Sequence, residues 1–208
     1  MAEGALSLSN SYMAYIQTQE PQRPEGAQKY VGDVAQGYRA KREKAEKWTI
    51  EQTVIEGMLD DMPSGHWVLD VPCGEGRFFE FYHRKGFLFR AIDLSADMLK
   101  LAEGNVADTL KAHLRQGDVR ALPIKDKSVD ASVMCRLTRW LSQEDCQVAL
   151  KELQRVTRDR IVVTARMDGD YARPVDLFLD ALEDDWELAK NEQGYEDAYR
   201  ILMFKRKK

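Results

Sequence analysis

The sequence predicts an α/β fold, with a mostly parallel sheet covered by helices on both faces. Short apolar runs rich in β-branched residues alternate with segments whose apolar residues recur every three to four positions. This alternation is typical of βαβ units, in which right-handed helical crossovers join parallel strands. The last two apolar runs, 186–190 and 199–204, are too close for a crossover, so one of these strands is expected to run antiparallel.

Local signals place the individual elements in chain order. A helical pattern over 30–61 ends where proline and glycine occur, at 62–65. Gly86 ends the next helix, and Ser95 and Ser142 are suitable N-caps for two later ones. The predicted strands are 67–71, 87–92, 113–117, 129–135, 160–165, 186–190 and 199–204, and the helices between them are 78–85, 95–102, 142–153 and 175–182.

Length and composition indicate one globular domain. The chain has 208 residues, of which 44% are hydrophobic and 32% charged. Residues 1–28 are expected to form a flexible N-terminal segment and 29–208 a single domain, in which 29–61 precede a sheet core at 66–208. No apolar stretch approaches the roughly 20 residues of a membrane span. Three widely spaced cysteines predict reduced thiols in a cytoplasmic protein, with neither a disulfide frame nor a metal site.

The charge balance makes nucleic acid an unlikely partner. The formal net charge is −4, whereas proteins that grip phosphates usually carry a basic face. Basic clusters do occur at 39–42 and 205–208. The first alternates with glutamates, as on a solvated helix face, and the second follows the last strand.

Residues 67–78 are the most informative segment. An apolar run ends in Asp70, and a tight turn containing Cys73, Gly74 and Gly76 follows. Such a turn brings backbone N–H groups against a ligand, and a Cβ at either glycine would block a ligand lying on the loop. Asp70 ends a strand at the edge where open α/β sheets bind ligands. The third glycine of the dinucleotide-binding fingerprint is missing from this segment. The carboxylate of Asp70 would suit a ligand with a cationic group.

The order Asp-x-x-Cys-Gly-x-Gly resembles the first motif of the class I S-adenosylmethionine-dependent methyltransferases. The resemblance extends over about 30–204, includes the C-terminal hairpin, and implies a seven-stranded, doubly wound, Rossmann-like sheet. It implies S-adenosylmethionine as cofactor, S-adenosylhomocysteine as product, and in-line methyl transfer to a small-molecule acceptor. Segment 34–42 resembles the part of the ubiquinone/menaquinone-type enzymes that covers the cofactor, so 29–61 would form a lid that includes Tyr38. Arg39 stands where that family usually has an aspartate.

The resemblance also assigns residues to the cofactor. Asp93 ends the second predicted strand, where a carboxylate meets the ribose hydroxyls; the alternative is an acid that favours a helix N-terminus. Asp118 and Val119 correspond to the adenine-binding position, where Leu94 and Met98 would pack the ring or serve as helix core. The residues expected at the cofactor are Asp70, Cys73, Gly74, Gly76, Asp93, Leu94, Met98, Asp118, Val119, Arg136 and Tyr38.

Two arginines follow the fourth predicted strand at the crevice mouth. Arg136 and Arg139 could bind a carboxylate or phosphate by bidentate contacts, or pair with acidic neighbours. Arg139 and Arg42 are expected at the acceptor, which the arginines allow to be anionic. No catalytic base is identified, because the three histidines all occur where structural roles are expected. RNA or protein methylation by the same fold, and cofactor binding without catalysis, are the alternatives.

Overall fold

The computed structural model of the protein describes residues 46–106 and 113–208. Their strands and helices follow the predicted alternation. The strands are β1 (Trp67–Asp70), β2 (Leu88–Asp93), β3 (Leu114–Gln116), β4 (Val129–Met134), β5 (Thr157–Arg166), β6 (Trp186–Gln193) and β7 (Tyr199–Arg206). The helices are α1 (Glu46–Leu59), α2 (Phe79–Arg84), α3 (Ala96–Glu103), α4 (Gln143–Val156) and α5 (Val175–Leu179), with a 3₁₀ turn at Thr138–Trp140.

The strands form one seven-stranded sheet in the order β3-β2-β1-β4-β5-β7-β6. Neighbouring strands from β3 to β5 pair in parallel, whereas β7 pairs antiparallel with both β5 and β6. This confirms the predicted fold class, including the antiparallel C-terminal strand. The chain order reverses between β1 and β4, and such a reversal opens a crevice at the carboxyl ends of the strands.

Hydrophobic clusters cover both faces of the sheet. Val68 and Val133 belong to a cluster with residues of α1, α2 and α3, whereas their neighbours Leu69 and Met134 belong to a second cluster with α4 and α5. Successive strand residues point to opposite faces, so buried parallel strands are apolar on both sides. The sheet is therefore a rigid support for the loops at its carboxyl edge.

Several element boundaries differ from the predicted ones by three residues, including the ends of α4 and β6. β5 begins at Thr157 rather than at residue 160, directly after α4. The Thr157 side chain is buried and hydrogen-bonded to Ser132 of β4 over 2.5 Å, which extends the strand across polar residues. The last helix ends at Leu179 rather than at residue 182.

Several predictions on the N-terminal part lie outside the described residues. These are the flexible segment 1–28, the helical pattern before Glu46, and the assignments of Tyr38 and Arg42. Within 46–106 and 113–208, no helix has the length and apolar character needed to cross a membrane.

Candidate functional site

A cavity of about 670 Å³ lies at the carboxyl ends of β1, β2 and β4. This is the crevice that the strand order creates, and the volume suits a small-molecule ligand. Asp70, Gly74 and Gly76 lie behind the cavity wall rather than on it. Eight of the residues assigned from the sequence line the cavity together: Cys73, Asp93, Leu94, Met98, Asp118, Val119, Arg136 and Arg139.

The turn after β1 requires its glycines for two different reasons. Gly74 and Gly76 have φ values of 56° and 87°, a region that residues with a Cβ rarely adopt. A Cβ on Gly74 would lie 3.4 Å from Cε of Met98, at the edge of the cavity. A Cβ on Gly76 would lie 2.3 Å from Cδ2 of Phe79. The sequence predicted that a Cβ on Gly76 would block a ligand. In the structure, a Cβ there would instead collide with Phe79 of α2.

Gly76→Ala is expected to destabilise the protein by about 2–5 kcal/mol, the sum of a left-handed backbone and an overpacked contact with Phe79. Urea unfolding measures the change. Gly57→Ala is the matched control, because Gly57 lies in α1 and a Cβ there has nothing within 4 Å. The control should gain about 0.5–1 kcal/mol from helix propensity. Equal midpoints for Gly76→Ala and wild type would contradict the prediction.

Asp93 links the glycine loop to the start of α3. Its carboxylate accepts the backbone N–H groups of Gly74 and Ser95, both over 2.8 Å. Burial raises the pKa of Asp93, and hydrogen bonds from the backbone of Ser95, Gly74 and Leu94 oppose that rise. A carboxylate has about four acceptor positions, so acceptor capacity remains for a ligand hydroxyl. The ribose contact and the helix N-terminal role are thus compatible.

Asp118 is held by Arg120. It accepts the backbone N–H of Arg120 over 2.9 Å and the guanidinium over 2.6 Å. The guanidinium also contacts Asp145 at 3.1 Å, which ties this loop to α4. Asp118 therefore uses part of its acceptor capacity within the protein and keeps a fixed position at the cavity wall. Val119, Leu94 and Met98 supply apolar surface beside it.

Asp70 is a buried acid that makes no hydrogen bond of normal length among the described residues, although the Tyr82 hydroxyl is near enough to lower its pKa. It is 1% exposed, and neither carboxylate oxygen is hydrogen-bonded. Burial, and secondly the charge of Asp93, raise the pKa of Asp70 well above its usual value, while Arg77 and the Tyr82 hydroxyl oppose the shift. A buried carboxylate is favourable only when a cation or hydrogen-bond donors reach it. Asp70 therefore fits a ligand that brings a cationic group.

Sequence reasoning missed a buried cluster of charges beside the cavity. Glu51 of α1 is completely buried and contacts the guanidiniums of Arg77 at 2.5 Å and Arg136 at 2.7 Å. Arg77 also stacks on Trp48, with its guanidinium carbon 3.8 Å from the ring centroid. A signal did exist, because Glu51 occurs at helical spacing between the buried residues Trp48 and Ile55. Of the two interpretations of Arg136 that the sequence allows, the structure shows the one in which it pairs with an acidic neighbour.

Arg139 has a different environment from Arg136. Its guanidinium carbon lies 4.8 Å from the ring centroid of Trp140 and 5.3 Å from that of Tyr171. Within 46–106 and 113–208, no acidic side chain forms an ion pair with Arg139. Aromatic contacts hold a guanidinium without neutralising its charge, so Arg139 presents a cation at the cavity wall.

Known proteins resemble this arrangement in sequence and in fold. Residues 68–160 match a family model described as a methyltransferase domain. The magnesium protoporphyrin IX methyltransferase of Synechocystis PCC 6803, solved with S-adenosylmethionine bound, has a TM-score of 0.64 and 15% identity, covering 95% of this chain and 96% of that one. The malonyl-[acyl-carrier protein] O-methyltransferase of Pectobacterium atrosepticum is 33% identical over 141 residues. Residues 68–160 are thus a methyltransferase domain, in the fold of the class I S-adenosylmethionine-dependent enzymes.

The methyltransferase matches only part of its curated relatives. The Pectobacterium alignment covers 66% of this chain and 51% of that protein. The malonyl-[acyl-carrier protein] O-methyltransferase of Hamiltonella defensa is 38% identical over 97 residues, which are 47% of this chain and 36% of that protein. The chain thus spans about half or less of their length, so its own reaction and acceptor are proposals.

The comparisons confirm the predicted family and fold, and with them a methyltransferase whose cofactor is S-adenosylmethionine. They do not confirm the ubiquinone/menaquinone-type subclass. The roles of individual site residues of the methyltransferase remain predictions, which the experiments below are designed to test.

Proposed function

We propose that this methyltransferase transfers the methyl group of S-adenosylmethionine to a carboxylate oxygen of a small acyl acceptor. The observation that carries the proposal is Arg139, a cation at the cavity wall without an acidic partner in the described chain. A guanidinium matches a carboxylate by two parallel hydrogen bonds. The relatives named above support the same chemistry, because their names describe O-methylation of a malonyl group on a carrier protein.

The cofactor would use the acidic and apolar residues of the same cavity. Asp93 offers acceptors for the ribose hydroxyls, and Asp118 and Val119 the adenine position. Asp70 lies near enough to Asp93 for their charges to interact, and its unpartnered carboxylate suits the α-ammonium group of the cofactor. Leu94 and Met98 would pack the adenine, Cys73, Gly74 and Gly76 would form the loop beneath it, and Tyr38 would close the lid.

A carboxylate acceptor requires no general base. Carboxylic acids have pKa values near 4, so the nucleophile is already ionised at pH 7. No histidine is found among the described residues that line the cavity. Burial raises the pKa of the thiols of Cys73 and Cys135, so neither supplies a thiolate. The described groups at the cavity therefore suit positioning rather than proton transfer.

The reaction is a single in-line displacement. A carboxylate oxygen attacks the sulfonium methyl carbon, the C–S bond breaks, and its electron pair remains on sulfur. The products are a methyl ester and a neutral thioether, so one positive and one negative charge disappear. Positioning the two reactants alone can contribute about 7–11 kcal/mol to such a step.

Labelled methyl transfer tests the proposal. The enzyme is incubated with S-adenosylmethionine labelled in its methyl group and with a malonyl thioester, an acetyl thioester or the methyl ester of the malonyl thioester. Label should appear as an alkali-labile ester on the first acceptor alone. Transfer to the acetyl thioester at a similar rate would contradict a carboxylate acceptor. Binding of S-adenosylhomocysteine without transfer to any acceptor would favour the non-catalytic alternative.

Arg139→Gln is expected to raise KM for the carboxylate acceptor by about 10-fold to 100-fold, because hydrogen bonds to a charged group are lost. The affinity for S-adenosylhomocysteine should stay within twofold of wild type. Arg84→Gln is the matched control, since Arg84 also lies over an aromatic ring, that of Phe81 at 5.6 Å, but does not line the cavity. Steady-state kinetics with varied acceptor measure the effect. An unchanged KM would exclude Arg139 from acceptor binding.

A further inference from the structure

Glu51 joins four elements around the cavity through one buried carboxylate. Its Oε2 atom contacts Arg77, after the glycine loop, at 2.5 Å and Arg136, after β4, at 2.7 Å. Its Oε1 atom accepts the hydroxyl of Tyr199 on β7 over 2.6 Å. The other buried positions of α1 are apolar, so the helix does not need an acid there for packing. Burying a carboxylate is unfavourable unless partners compensate it, and here both oxygens are used.

Arg136 is held in a conformation that it would rarely adopt alone. Its φ is 60°, in the left-handed region that non-glycine residues avoid. Two contacts hold it there: its backbone N–H donates to Oγ1 of Thr164 over 2.7 Å, and its Nε donates to Glu51 over 2.7 Å. A residue that is held in an unfavourable backbone conformation at a cavity wall indicates that its side chain is kept in a defined position.

Arg77 is equally constrained. It donates through Nη2 to the backbone carbonyl of Trp48 over 2.6 Å, and it stacks on the Trp48 ring. Arg77 is also near enough to Asp70 to lower its pKa against the effect of burial. The guanidiniums of Arg77 and Arg136 thus line the cavity, and the carboxylate of Asp70 lies near Arg77 behind the cavity wall. An α-amino acid group, which carries an ammonium and a carboxylate, matches this combination of an acid and two arginines.

We infer that Glu51 is a positioning residue of the cofactor site. It holds the guanidiniums of Arg77 and Arg136 so that they meet the carboxylate of the amino-acid end of S-adenosylmethionine. Preorganised donors on rigid elements are what selective recognition of an anion requires. The inference rests on the proposed cofactor binding and deepens it. It assigns helix α1, which lies outside the glycine-loop motif, to the amino-acid end of the cofactor.

Two ligands that differ only at that end test the inference. S-adenosylhomocysteine carries the amino-acid group, whereas 5′-methylthioadenosine has the adenosine and the thioether without it. Calorimetric titration of Glu51→Gln should show affinity for S-adenosylhomocysteine reduced about 10-fold to 100-fold and affinity for 5′-methylthioadenosine within twofold of wild type. Glu56→Gln is the control on the same helix, because Glu56 pairs with the exposed Arg84 instead. The control should bind both ligands as the wild type does.

Each result decides between distinct conclusions. Equal weakening of both ligands, or no weakening of S-adenosylhomocysteine, would overturn the positioning role of Glu51 alone. A wild-type protein that binds neither ligand would overturn the proposed function and this inference with it. If Glu51→Gln does not fold, Glu51→Asp keeps the charge and withdraws the carboxylate by one methylene. That variant should lose affinity for S-adenosylhomocysteine only, by a smaller factor, and loss for both ligands would overturn the inference.

Discussion

Asp93→Ala is expected to weaken S-adenosylhomocysteine binding at least 100-fold. Two effects combine: the ribose loses hydrogen bonds to a carboxylate, and the N–H groups of Gly74 and Ser95 lose their acceptor. A hydrogen bond to a charged group contributes about 1.5–3 kcal/mol, so losing two exceeds the roughly 2.7 kcal/mol that corresponds to 100-fold. The loop and the ligand contact depend on the same carboxylate, which makes this the largest single-residue effect on binding that we predict.

Calorimetric titration of the wild type and the variant measures the loss, with thermal unfolding of both to separate it from a loss of fold. Glu103→Ala is the control, because Glu103 is an exposed acid at the other end of α3. NAD serves as a ligand control and should not bind the wild type. An Asp93→Ala variant that is folded and binds within tenfold of the wild type would remove Asp93 from the cofactor site.

The fold could be predicted because its signals are local. Alternating patterns, the stop at 62–65 and the short gap before β7 each depend on residues close together in the chain. The same holds for the cavity residues Asp93 and Asp118, since the carboxyl ends of parallel strands meet at one edge of a sheet. Element boundaries were less accurate at Thr157, where a tertiary contact with Ser132 extends the strand.

The charged cluster at the cavity could not be predicted, because it depends on contacts between distant parts of the chain. Glu51 reaches partners 26, 85 and 148 residues away along the sequence. Its position among apolar residues of α1 indicates burial but does not identify a partner. The sequence left two interpretations of Arg136 and Arg139, and only the structure distinguishes an arginine paired with an acid from one held by aromatic rings.

The affinity for S-adenosylhomocysteine is expected to rise with pH by up to tenfold per unit, because binding releases a proton from Asp70. In the free protein, burial and Asp93 hold the pKa of Asp70 well above its usual value, so its carboxyl group stays protonated where an exposed aspartate is ionised. A bound α-ammonium group favours the ionised form. The rise should therefore end once the pH exceeds the pKa of Asp70 in the free protein. The thiols of Cys73 and Cys135 and the phenol of Tyr82 also have raised pKa values and stay protonated throughout.

Asp70→Asn should separate binding from stability. Because the folded-state pKa of Asp70 exceeds the unfolded value, its contribution to stability is complete below about pH 4 and is lost as the pH rises to the folded pKa. The variant should then be more stable than the wild type at higher pH, by about 1.4 kcal/mol per unit of pKa difference, and yet bind more weakly. Titrations in two buffers of different ionisation enthalpy count the protons, and the wild type and the exposed control Asp60→Asn should release more of them than Asp70→Asn. Equal release from all three proteins would show that Asp70 does not sense the ligand's cation.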